Sequence, residues 1–389
     1  MRKLALLGAI VMAASSLIAV PASGGPTPGG LATDNIEHIK HIPLAQNGVG
    51  GRLIGKYFYM NDQNKVMIWD VSDPLDPQMT GQVLMPQEWQ FSREDLDGNG
   101  RILVVPNTAS AQNDGTLQQT SPTNAVYIID VEDKTNPQII SKVPGAAQHT
   151  FSCILDCTWA YGSEGNIIDL RNPAKPKLVE QQWGDDTIAG NNGHDVEEVA
   201  HGIVMTAQQP MMLLDARKDP KNPKVIALAE RNDDGRYMHG TQWPRNMKDD
   251  FILAGSETTF NGRCSATAGA FMTWDARNWQ KTKTFRMIDE YRVVNGTYTD
   301  GNPAAQRNCT AHWIEEHPDF NNGGYVATAF YDHGTRFFEI TSTGKIKKAG
   351  YFMAWAGQAS AAYWITDEIV YTVDYNRGLD ILRFTPPKG

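Results

Sequence analysis

An acidic chain of 389 residues, with 44 Asp and Glu against 35 Lys and Arg and a net charge of −9, is a poor match for nucleic acid or an anionic membrane, which select basic surfaces. A single hydrophobic core rarely grows to this length unless the chain repeats a unit that packs on its neighbours. Internal repeats are therefore the first feature to seek.

The N-terminus reads Arg2-Lys3, an apolar run from Leu4 to Val20, then Pro21-Ala22-Ser23-Gly24-Gly25. Basic, hydrophobic and small residues in that order make a secretory signal, and cleavage after Ala22 is expected. The chain then divides into a signal at 1–22, a flexible leader at 23–34 and one domain at 35–389. Losing Arg2 and Lys3, with no acid in the same stretch, deepens the charge to −11. No later segment approaches ~18 consecutive apolar residues, so no membrane span is expected after cleavage, and the mature protein should be secreted or periplasmic and monomeric.

A strand followed by a Pro-bearing turn then recurs. It begins as Val66-Met67-Ile68-Trp69-Asp70-Val71-Ser72-Asp73-Pro74, with Pro77 beyond. Val126 to Asp130 leads to Pro137, Ile167 to Asp169 leads to Pro173 and Pro176, and Met212 to Asp215 leads to Pro220 and Pro223. Worn copies follow at Phe271–Asp275, Phe337–Ile340 and Leu379–Arg383. A second apolar strand precedes each copy, as in Tyr57-Phe58-Tyr59 and Ile369-Val370-Tyr371.

Short β-branched and aromatic runs, broken by Gly, Asn, Asp and Pro, make the chain all-β. Seven such pairs at intervals of roughly 40 to 60 residues fit a seven-bladed β-propeller. The last copy lacks an outer strand, and the alternating segment Asn35 to Ile42 is expected to supply it and close the ring. The repeat Asp should accept hydrogen bonds from the turn behind it, a structural role.

The segment Val66 to Pro74 resembles the repeat that names the LVIVD-repeat family of secreted β-propellers. The likeness runs from about residue 50 to 385, strong in the first four copies and weaker in the last three, where Glu339 or Arg383 replaces Asp and an insertion, Thr258 to Gly269, intervenes. It implies a propeller fold and export, but no single activity.

Four histidines begin the innermost strand of their blades: His149, His194, His239 and His312. His149 lies 20 residues before Asp169, His194 21 before Asp215, and His312 27 before Glu339; the insertion stretches His239 to Asp275 to 36. Equivalent positions on innermost strands converge on the axis, and four imidazoles suit iron, copper or zinc. In ligand pattern alone this is similar to the carotenoid cleavage oxygenases, propellers with a four-histidine iron centre, with no sequence match beside it. Glu164, Glu257 and Glu94 are candidates for orienting the imidazoles from outside. The alternative is a repeat feature that binds nothing.

Glu94-Asp95 and Asp195 to Glu198 add acids near the same mouth, and solvated loop acids are the favoured reading. His201, His317 and His333 adjoin turn residues and read as surface. Asp95-Leu96-Asp97-Gly98-Asn99-Gly100 matches half a calcium loop, but Pro106 stands where a bidentate Glu is needed, so a tight turn is expected. Four cysteines in an exported chain suggest disulfides: Cys153 with Cys157 across a hairpin, and by elimination Cys264 with Cys309. Two functions remain. One is an extracytoplasmic scaffold binding a ligand or protein at the channel mouth; the other is a metal-dependent oxidoreductase or lyase with a four-histidine centre.

Overall fold

The computed structural model describes residues 26–27, 29–43, 48–62, 64–85, 94–107, 125–146, 149–180, 182–183, 193–230, 237–257, 269–293 and 310–388. These residues are strands and turns apart from two four-residue helical turns, Pro244–Met247 and Trp279–Thr282. The unit is a four-stranded antiparallel meander. Gly48–Ile54, Tyr57–Asp62, Lys65–Asp70 and Gln78–Leu84 pair in that order, innermost to outermost.

The second strand of the unit reads as an unbroken apolar run because both faces are buried. In Tyr57–Asp62, Phe58 and Met60 join a core with Tyr371 and Val373, whereas Tyr59 turns to the other face and meets Leu103 and Val105. In Ile102–Asn107 the same division recurs: Leu103 and Val105 look back, and Ile102 and Val104 look forward to Phe151 and Ala160. A side-chain period of two therefore sends alternate residues into two different cores. Each fully buried side chain of this kind contributes about 1.5–3 kcal/mol. The outermost strands bury one face only and read as mixed.

Third and fourth strands share a bulge at the same place in successive units, at Ile68/Trp69, Ile128/Ile129, Leu213/Leu214, Thr273/Trp274 and Phe337/Phe338. The repeat Asp follows at once and accepts the N–H two residues on: Ser72 to Asp70 at 2.9 Å, Glu132 to Asp130 at 2.9 Å, Arg277 to Asp275 at 3.0 Å. The Pro carbonyl of the turn has a further use. Those of Pro74 and Pro220 accept hydroxyls from Tyr371 and Tyr161 of the neighbouring unit, a tie between sheets that the Pro signature itself does not disclose.

Among the described residues, hydrogen bonding gives six sheets where seven are expected. The difference lies in an eight-stranded sheet. Its two antiparallel halves are joined through parallel pairs of Leu228 with Thr284 and Ala229 with Phe285, because their outer strands meet edge to edge. Ile36–Pro43 is the fourth strand beside Gly378–Phe384, with Ile36 opposite Phe384 and Pro43 opposite Gly378. Gly30–Ala32, within the stretch expected to be a flexible leader, is a strand paired with Phe352–Ala354, since Ala32 and Ile36 find a core with Phe352 and Phe384.

Cys153 and Cys157 are disulfide-bonded across a turn in which Leu155, Asp156 and Cys157 all have positive φ. Cys264 and Cys309 lie outside the described residues, as do the signal segment 1–22 and the 258–268 part of the insertion. No helix among the described residues is long and apolar enough to cross a membrane.

Candidate metal centre

The first strands of successive units lie side by side about the axis; Phe151–Ile154 touches Asp195–Ala200, which touches Tyr237–Gln242, which touches Ile314–Glu316. His149, His194 and His312 stand just before the start of their strands, and His239 is the third residue of its own. Their rings form a continuous row: centroids of His149 and His194 are 4.9 Å apart, those of His194 and His239 3.7 Å, and those of His239 and His312 4.0 Å. Residues spread over more than 160 positions of chain thus share one locus.

At its centre is Glu94, 2% exposed. His149 Nε2 meets Glu94 Oε2, and His312 Nε2 meets Oε1. His194 Nε2 is 3.4 Å from Oε2, and His239 Nε2 is 3.7 Å from Oε1. Ligand atoms of Glu94, His194 and His239 all lie within 4.8 Å of one another. Glu94 precedes the short strand Asp97–Gly98, so in its unit it takes the place that histidine takes in four others.

The far side of the rings sets their tautomers. His194 Nδ1 donates to the carbonyl of His239 at 3.1 Å, and His312 Nδ1 donates to the carbonyl of Ser360 at 2.5 Å. A carbonyl only accepts, so a neutral His194 carries its proton on Nδ1 and turns its Nε2 lone pair toward the carboxylate. This is the orientation seen in metal-ligating histidines, whose second nitrogen is held by a backbone carbonyl. His239, fully buried, has no hydrogen bond to either ring nitrogen among the described residues.

The electrostatics are those of a buried cluster. Burial holds the His239 imidazole well below its usual range, with His194 and His312 adding to the effect. Burial also lowers His194, against the opposing pull of Glu94. Burial raises the Glu94 carboxyl, but His312, His149 and the hydrogen bond from His149 outweigh it and hold the group well below the usual carboxylate range. Tyr375 donates its hydroxyl to Glu94 Oε1 at 3.0 Å and so fixes the carboxylate.

Of the acids expected to orient the rings, Glu94 lies among the Nε2 atoms themselves. Glu257 is at the margin, its Oε2 4.0 Å from His239 Nε2 and its Oε1 accepting the Tyr331 hydroxyl at 2.8 Å. Glu164 is exposed, on the turn after Trp159–Gly162. The reading of Glu94 and Asp195 as solvated loop acids is corrected, for both are 2% exposed, drawn inward with the start of the inner strands. His333 is also not a surface residue, being 5% exposed and tied to Arg336. His201 is exposed. The Asp95 to Gly100 loop is a turn in which Asn99 Oδ1 accepts the N–H groups of Arg101 and Ile102.

Residues 52–85 match the LVIVD repeat, which is known in β-propeller proteins. Two solved structures are similar in fold. U3-55K is 9% identical, with a TM-score of 0.57 over 93% of this chain and 100% of its own. The β-propeller domain of Cps50 (Swd1) from Myceliophteria thermophila is 11% identical, with a TM-score of 0.59 over 90% and 100%. No curated protein matches the chain. Identity this low carries the fold alone. The class is therefore an all-β propeller bearing an LVIVD repeat.

Proposed function

We propose that the protein is an exported, seven-bladed propeller that acts as a binding scaffold, and that what it binds at the axis is one transition-metal ion. The eight-stranded sheet counts as two blades, since each half is a complete four-stranded meander. Apolar clusters between every successive pair, and one between the first and last units, support closure of the ring by Ile36–Pro43. The Cys153–Cys157 disulfide supports an oxidising compartment.

One observation carries the metal: Nε2 of His149, His194, His239 and His312 converge on one buried carboxylate, and that of His194, whose Nδ1 donates to a carbonyl, meets it as a lone pair. Acceptors do not face one another in a buried site without a positive centre between them. Protons can serve individual contacts, but burial lowers His194 and His239, so a cation among the four rings and the carboxylate would meet nitrogens that protons serve poorly. His149, His194, His239 and His312 would supply imidazole nitrogen and Glu94 an oxygen, a set suited to iron, copper or zinc. Such an ion supplies Lewis acidity or, for iron and copper, electron transfer. The chain itself positions the rings through the His239 and Ser360 carbonyls and the carboxylate through Tyr375.

A metal-dependent oxidoreductase or lyase is the second reading, favoured by the cavity that adjoins the cluster. Elemental analysis of protein purified without a metal-binding tag tests the first reading. About one transition-metal ion per chain is expected, lost in His194→Ala and His239→Ala. A wild type that comes back metal-free, and stays so after incubation with iron, copper and zinc salts, would end it.

A further inference from the structure

Next to the histidine row the channel holds a cavity of ≈ 520 Å³. It is a separate layer of the same strands: Asp95, Asp195, Gly240 and Trp313 line it, and they directly follow Glu94, His194, His239 and His312. Trp313 is the partition, its ring 4.9 Å from that of His239.

The cavity is rich in carboxylates, with Asp95, Asp195, Glu197, Glu315 and Glu316 on its walls. Two cationic side chains share those walls, and both are engaged. Arg52 places Nε 3.1 Å from Asp97 and a terminal nitrogen 3.1 Å from Glu197, while Arg245 bonds Asn321. Neither forms an ion pair with Asp195. Its Oδ1 has no hydrogen-bond partner, and neither does Oγ1 of Thr241 on the adjoining strand; both residues are 2% exposed.

Two buried oxygens lining a half-open space are met by a donor that enters it, since an unmet buried acceptor costs about 1–3 kcal/mol. A volume of ≈ 520 Å³ is too large for a bare ion and falls within the range of small-molecule sites. The remaining walls include Trp243, Trp313 and Trp364, and indole faces attract organic cations.

We propose that this cavity binds a small primary ammonium compound, its N–H groups on Asp195 and Thr241 and its carbon skeleton against the tryptophans. The site does not require the neighbouring metal. Binding is measured by titration calorimetry with n-butylamine, 1-butanol, tetramethylammonium and calcium chloride, on metal-stripped and metal-loaded protein. Butylammonium should bind in both states, 1-butanol and tetramethylammonium at least tenfold more weakly, and Asp195→Asn should weaken butylammonium at least tenfold. Thr241→Val serves as the second variant, checked for folding by circular dichroism, and should also weaken it.

No heat with butylammonium, equal binding of 1-butanol or tetramethylammonium, calcium displacing the amine, or full affinity in both variants each overturns the proposal. Metal content is read on the same samples. Protein that takes up no metal on loading yet binds the amine sinks only the metal centre, and protein that takes up metal yet ignores the amine sinks only the cavity assignment.

Discussion

Replacing His239 by leucine separates a metal ligand from a packing residue by the sign of its effect. The ring is fully buried, and neither nitrogen has a hydrogen bond among the described residues. Burial together with His194 and His312 keeps it neutral, so its loss removes no charge. In metal-free protein the change relieves two unmet polar atoms, at about 1–3 kcal/mol each. Imperfect filling by a differently shaped side chain returns less than about 1.5 kcal/mol. His239→Leu should therefore stabilise the chelated protein by about 1–3 kcal/mol.

With metal present at a thousand times its dissociation constant, binding adds about 4 kcal/mol to the wild type. Losing even an outer partner of a ligand costs roughly 10–100-fold in affinity, and losing the ligand costs no less, so the variant forfeits at least about 1.4–2.7 kcal/mol of that gain. Urea denaturation with chelator and with saturating metal gives the four stabilities required. A variant that is less stable under chelation, together with equal metal responses in both proteins, would refute the reasoning.

Asp380, whose side chain is fully buried, binds His38 at 2.8 Å, His41 at 3.0 Å and Arg377 at 3.1 Å; Asp380→Ala should cost about 3–5 kcal/mol in urea denaturation. Burial raises this carboxyl, but the hydrogen bonds from His38 and Arg377 outweigh it and hold it below the usual value. Its contribution is present above the ordinary carboxylate pKa and fades as pH falls through the lowered one, so the wild-type advantage over Asp380→Ala should shrink in acid. Glu315 runs the other way: burial and Glu316 push it up to about 8, so its contribution is full below pH 4 and lost as pH rises through about 8. Glu315→Gln should flatten the fall in urea midpoint between pH 5 and pH 9, its amide oxygen still accepting the Trp364 N–H. The double change Cys153→Ala with Cys157→Ala opens a loop with a sequence separation of 4, and should lower stability by about 2 kcal/mol, read against the non-reduced wild type.

The strand pairs were legible because both faces of a second strand such as Tyr57–Asp62 are buried, which writes a continuous apolar word into the sequence. The turn Asp was legible because its bond is local, two residues long. Sheet count was not, since the edge contact at Leu228 and Ala229 depends on how two outer strands lean together. The convergence of four histidines could be read from their common place in the repeat. The central position of Glu94 could not be assigned, because its inner strand, Asp97–Gly98, is only two residues long and leaves no periodic signal. Nor could the buried state of Asp195, whose neighbours Val196 and Glu197 alternate like any half-exposed strand.

His38 and Asp380 hold hands across 342 positions of chain, and the strands that carry them pair along their whole length. A polypeptide emerging from one end cannot make that union until the stretch around Asp380 has followed the stretch around His38. The other meanders form largely on nearest-neighbour contacts as they appear, yet this one waits for Ile36–Pro43 and Gly378–Phe384 to meet, a distant contact of the kind that slows assembly. Until then the exposed edge of Gly378–Phe384 and its partner are open to other copies, so the interval before these two strands pair is the one most prone to self-association.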